Sequence, residues 1–102
     1  MENLKLTVNV TADDIREGTP CNASYCPVAR AVNRAIQHAI PHTLLYALVG
    51  RYCLQLRWYE SGDAAFRPAN PDVTPWSRFV ANYDNGVIER PFSFTLELVA
   101  VK

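Results

Sequence analysis

Residues 27–40, "PVARAVNRAIQHAI", leave this chain the least freedom. Stepped at 100° per residue, Val28, Ala29, Ala31, Val32, Ala35, Ile36, Ala39 and Ile40 fall on one half of a wheel. Arg30, Asn33, Arg34, Gln37 and His38 fall on the other. Pro27 suits the first helical position, where a missing N–H has no intrahelical partner to lose. Pro41 cannot continue the helix and marks its end. A helix with so wide an apolar stripe must lay it against something, and the flanking sequence supplies strands.

Leu4, Leu6, Val8 and Val10 alternate with Lys5, Thr7 and Asn9, the period of a strand with one buried face. Thr11, then "ADDIRE" with Asp14 three residues on and Gly18 closing, predicts one capped helical turn, with Asp where a capping box usually has Glu or Gln. Residues 42–49 and 52–59 read as a hairpin turning near Gly50. In its second strand Leu54, Leu56 and Trp58 share one face, and Cys53, Gln55, Arg57 and Tyr59 the other. Residues 60–74 hold Gly62, Pro68 and Pro71 and read as an irregular loop. Thr74-Pro75 predicts the cap and first turn of a second helix, carrying Trp76, Phe79, Val80 and Tyr83 and ended by Asn85-Gly86. Phe92, Phe94, Leu96, Leu98 and Ala100 make a last half-buried strand. The expected fold is a single α+β domain over residues 1–102, with a four-stranded antiparallel or mixed sheet and two helices on one face. The order is βαββαβ, for which ferredoxin-like connectivity is one candidate.

Ten basic and ten acidic residues cancel, so no global field draws the chain to nucleic acid or anionic lipid. Locally the balance differs. No acid lies between Glu17 and Glu60, while Arg30, Arg34, Arg51, Arg57 and both histidines do. The opening "MENLKLTVNV" alternates too strictly for a signal peptide, and no apolar run reaches membrane length. These features, with an odd count of three cysteines, fit a cytoplasmic protein with reduced thiols and no membrane partner.

Cys21, Cys26, His38 and His42 stand at nearly the spacing of a two-Cys, two-His zinc finger. A helix between the pairs defeats that reading, because twelve residues at 1.5 Å each hold Cys26 and His38 about 18 Å apart. No metal is expected. Cys26 is then a capping or packing residue at a helix start; alternatively it is a thiol of lowered pKa, or part of an anion pocket with Arg30 one turn in. Cys26, Arg30 and Arg34 on the helix, with Arg57 and Tyr59 on the sheet, form the candidate anion or ligand-binding set. Arg67 and Arg78 bracket a proline-rich loop ending in Trp76, and the three form a candidate partner-binding surface; the alternative, that Trp76 simply pins the loop to the core, is the better-supported reading of Trp76 itself. Asp13, Asp14 and Glu17 read as a cap and a solvated face. No catalytic constellation and no cofactor motif is legible.

Two segments carry a resemblance. "VTADDIREGTPCNASYCPVARAV" and "RFVANYDNGVIERPFSFTLEL" resemble the opening and closing patterns of a family of small phage and bacterial-genome proteins. The shared elements are a strand, Ile-x-x-Gly, Cys-Pro-[Ile/Val]-Ala at a helix start, and Pro-Phe-x-Phe-x-Leu near the end. Ile15, Gly18, Cys26, Pro27, Ala29, Phe79, Asp84, Gly86, Pro91, Phe92 and Phe94 match, and residues 63–74 depart from shorter members. The resemblance implies a phage or mobile-element context and supplies no mechanism. The expected function is that of a non-enzymatic, phage-type accessory protein in the cytoplasm of a bacterial host, which binds and blocks or sequesters a host component. An inhibitor of an anti-phage defence system is its most concrete form. The alternatives are a nucleotide or nucleic-acid binder using the arginine-bearing helix face, and a thiol-dependent enzyme built on Cys26. The partner is accordingly a host protein or a small nucleotide signal. Small size leaves room for a homodimer, through an open strand edge or the aromatics near Trp76.

Overall fold

A helix about 10 Å across cannot touch both edges of a flat sheet of five strands, which spans about 19 Å at 4.8 Å per gap. Here one helix does touch both. The computed structural model describes residues 3–87 and 89–101. The elements in chain order are β1 (Leu4–Val10), α1 (Ala12–Glu17), α2 (Pro27–Ala39), β2 (Leu45–Val49), β3 (Leu54–Trp58), β4 (Ala64–Pro68), α3 (Ser77–Asp84) and β5 (Phe92–Ala100). The sheet runs β1-β5-β4-β3-β2 with every neighbouring pair antiparallel. Helix α2 packs on β1 and on β2, the two edge strands, so the sheet curls around the helix. Its apolar stripe meets the inward residues of the strands: Val28, Val32 and Ile36 are fully buried together with Val8, Leu56 and Leu98.

The α+β class holds, with one strand and one helix beyond the expected count. The added strand is β4, in the segment read as a loop. Its sequence, "AAFRP", does not alternate, because the pairing register shifts between Leu56 and Arg57 and turns both Ala65 and Phe66 inward. Pro68 sits at its last position, where a strand tolerates a missing N–H. Ferredoxin-like connectivity is not matched. The split βαβ unit needs its two parallel strands one strand apart, whereas β1 and β2 point the same way from opposite edges with three strands between them.

The third helix is the short α1, whose Thr11 cap closes a full box: Asp14 N–H donates to Thr11 Oγ1 and Thr11 N–H to Asp14 Oδ2. At Gly18 the chain turns tightly onto α2, and a β-carbon there would stand 2.7 Å from Asp14 O and 2.8 Å from Pro27 Cδ. The expected Thr74-Pro75 cap is replaced by a backbone turn from Ser77 N–H to Thr74 O, and α3 begins at Ser77 without a side-chain cap. Helix α3 closes one end of the curl. Its leading Trp76 is 1% exposed, lies 5.8 Å from the Phe94 ring and donates from Nε1 to Gly50 O at 3.0 Å. The Tyr83 hydroxyl lies 2.9 Å from the carbonyl oxygens of both Ile15 and Gly18, tying α3 to the end of α1. Among the described residues no helix is long and apolar enough to cross a membrane.

Because α2 is the surface on which the strands close, Ile36→Ala is expected to cost about 2–5 kcal/mol. Ala39→Ser, at an exposed site on the same helix, should change stability by less than about 0.5 kcal/mol. Urea unfolding of the two variants checks the contrast.

Candidate functional site

Curling leaves a sheet with two edges, and this fold treats them differently. Along β2 the outward N–H of Ala47 donates to Asn33 Oδ1 of α2 at 2.8 Å, and that of Val49 to Ala23 O at 2.9 Å. Two outward N–H groups of that edge are thereby engaged. Along β1, Arg34 Nη2 donates to Asn9 O at 2.8 Å, which shows that Asn9 faces away from β5. N–H and C=O of one residue in an antiparallel strand point to the same side, and alternate residues follow suit. Lys5 and Thr7 therefore also present their backbone groups outward. Asn9 stands opposite Ser93 as a narrow pair, and Ser93 Oγ donates across it to Asn9 Oδ1 at 2.6 Å. Among the described residues nothing hydrogen-bonds the outward groups of Lys5 and Thr7.

Beside this edge runs a groove of about 390 Å³ between β1 and α2. Ala31, Ala35 and Ala39 form its helical wall at one-turn intervals, and Lys5, Arg34 and His38 are its charged or titratable lining. Among the described residues no carboxylate lines it. A second concavity, about 450 Å³, lies by His42, Leu44, Trp58 and Glu60. Trp58, expected on the buried face with Leu56, is 43% exposed there, at the last position of β3.

Behind the first groove lies a buried ion cluster. Asp14 is the one buried charged residue among those described, at 0% exposure. Arg34 grips it with two bonds, Nη1 to Oδ1 at 2.8 Å and Nη2 to Oδ2 at 2.6 Å. Arg30 Nε stands 3.5 Å from Oδ1, an ion pair without a hydrogen bond. Burial alone pushes the Asp14 carboxyl up, but bonds from Arg34 and Thr11 and the charge of Arg34 outweigh it, holding the carboxyl below its ordinary 3.8. Asp14, read from the sequence as part of a cap and a solvated face, does close the cap but is buried and also stands at the centre of the α1–α2 contact. Arg34 reaches β1 through the same guanidinium.

The candidate ligand set does not converge. Arg30 and Arg34 are committed to Asp14. Arg57 lies on the sheet face away from Leu56, where Nε donates to Gln55 Oε1 and Nη1 to Gly62 O, fastening the β3–β4 turn. Tyr59 is exposed, its ring 4.9 Å from that of Tyr46. Cys26 is 3% exposed and caps α2, Sγ accepting from Ala29 N–H at 3.4 Å. Burial pushes its thiol up, opposite to the direction a nucleophile needs. The unbroken α2 stands between Cys26 and His38. Of the partner-binding set, Arg67 and Arg78 are exposed, but Trp76 is in the core and offers no surface between them. Lys5 and Asn33 carry no sequence signal of their own; only the closure of the sheet brings them to the edges.

Two outcomes follow. Stability supplied by Asp14 is present in full above the unfolded value of 3.8 and is lost as pH falls through the depressed native value. At neutral pH Asp14→Asn should cost about 2 kcal/mol, between the values for exposed and buried pairs, since Arg34 is half-exposed. That difference should shrink in urea unfolding well below pH 3.8. The second concerns thiols: an alkylating reagent should label Cys21 and Cys53 in the native protein and Cys26 only after denaturation, read by intact mass. Comparison of the chain with protein-family models, with curated proteins and with solved structures returns no match.

Proposed function

We propose that this chain is a non-enzymatic accessory protein of phage type that binds a host protein in the bacterial cytoplasm and blocks it, most concretely as an inhibitor of an anti-phage defence system. The observation that carries the reading is the contrast between the two sheet edges. Asn33 and Ala23 engage two outward N–H groups of β2, while among the described residues the outward N–H groups of Lys5 and Thr7, beside a groove, find no partner. An unpaired, accessible strand edge can take up another polypeptide as an added strand. The phage context comes from the resemblance of the terminal segments. The two rival readings lose support from geometry. The arginines proposed to grip an anion already hold Asp14, and the thiol proposed as nucleophile is buried and serves as a helix cap.

The test uses the purified chain as bait in lysate of a bacterial host carrying defence systems, followed by native mass spectrometry of the captured complex. A stable complex of fixed stoichiometry with one host protein, together with restored phage plating in cells expressing the chain, is the expected result. A nucleotide adduct on the chain with no protein partner would overturn the reading.

A further inference from the structure

We infer that Asn85 is a deamidation site held shut by the C-terminal turn of α3, converting to aspartate or isoaspartate only when that turn opens. Of the seven asparagines only Asn85 precedes a glycine, whose missing side chain leaves its backbone nitrogen unobstructed. Both residues are exposed, so water and base reach them and burial offers no protection. Protection has to come from geometry.

The reaction begins when the Gly86 backbone nitrogen, giving its proton to solvent base, attacks Asn85 Cγ. A C–N bond forms, the side-chain nitrogen leaves as ammonia, and a five-membered succinimide results. Water then opens one or the other carbonyl of the ring, leaving aspartate or its β-linked isomer. In the fold each participant is already engaged. Gly86 N–H donates to Tyr83 O at 3.0 Å and Val87 N–H to Asn82 O at 2.9 Å, with Gly86 at φ 81. Those are the paired closing bonds of a helix that ends on a left-handed glycine. Asn85 Nδ2, the leaving nitrogen, donates to Ala81 O at 3.0 Å. Ring closure also needs the Gly86 nitrogen nearly eclipsed with Asn85 Cβ. At ψ 9 it eclipses the backbone nitrogen of Asn85 instead, and the rotation that brings it round pulls both closing bonds apart.

Conversion then keeps the turn open. Its product places a carboxylate at the negative end of the α3 dipole, next to Asp84, and discards the bond to Ala81 O. Asp84 fastens Cys21, whose N–H reaches Oδ1 at 2.7 Å while its backbone sits at φ 56, left-handed for a residue with a side chain. Loosening the end of α3 therefore reaches the loop between α1 and α2. None of these bonds depends on the chain having a host partner.

The test incubates the purified chain at mildly alkaline pH, native and in urea, and follows position 85 by peptide mapping that separates asparagine, aspartate and isoaspartate. The native chain is expected to convert about tenfold or more slower than the unfolded one. Tyr83→Phe removes the hydroxyl that ties α3 to Ile15 O and Gly18 O and leaves the Asn–Gly pair untouched. It should speed native conversion about threefold or more, in step with amide exchange at Gly86. Ile36→Val, a core change outside α3, should leave the native rate within about twofold. Asn85→Asp, a mimic of one product, should quicken exchange at the Gly86 and Val87 amides about threefold or more. Equal rates in the native and unfolded chain would overturn the proposal. So would acceleration by Ile36→Val as large as that by Tyr83→Phe, because the opening would then be global unfolding. Unchanged exchange in Asn85→Asp overturns the claim that conversion keeps the turn open. Where Tyr83→Phe does not fold, the ratio of native to unfolded rates and the Ile36→Val rate decide.

Discussion

The requirement that one amphipathic helix be covered on its whole apolar half shapes everything else in this molecule. A flat sheet would bury only a strip of α2. Five strands curled around it bury Val28, Val32 and Ile36 completely and bring β1 and β2 to opposite flanks of the same helix. Two residues on the polar half of α2 then meet strand edges, while Gln37 and His38 stay exposed. Asn33 spends its side-chain oxygen on β2, and Arg34 reaches the last outward carbonyl of β1. The asymmetry between the two edges is a consequence of which polar residue the helix happens to present on each side.

The Asp14 cluster links that arrangement to the short helix before it. A carboxylate removed from water is costly unless its oxygens are fully engaged, and here two Arg34 nitrogens and the Thr11 backbone engage them. Such a cluster contributes more to geometry than to net stability. It sets the angle of α1 against α2, fixes the Arg34 side chain at the end of the β1 edge and so defines where the groove stops. It also removes two arginines from the stock of groups free to bind an anion, although their charge still colours the surface beside Lys5.

Much of the local structure was readable from residue order. The alternation in Leu4–Val10 and Phe92–Ala100, the proline-bracketed helix and the Thr11-x-x-Asp14 cap all appear where their periods and caps predict. The strand β4 was not readable, because a bulge breaks its alternation and a proline ends it. Trp58 shows another limit: patterned as core with Leu56, it is 43% exposed at the last position of its strand, whereas Trp76 packs in the core, with its indole N–H donating to Gly50 O, as the reading that it pins the loop expects.

Sequence alone determined the class of the fold, the helix that organises it and the separation of the cysteine and histidine pairs, since each depends on contacts a few residues apart. Tertiary structure decided the number of strands, the burial of Asp14, the fate of Arg30 and Arg34, and which edge of the sheet stays open. Several of those depend on pairings far apart in the chain, 20 positions for Arg34 with Asp14 and 94 for Leu4 of β1 with Leu98 of β5. A periodic pattern states that a face will be buried. It carries no record of what will bury it, because the burial energy depends on the area covered and hardly at all on the identity of the cover.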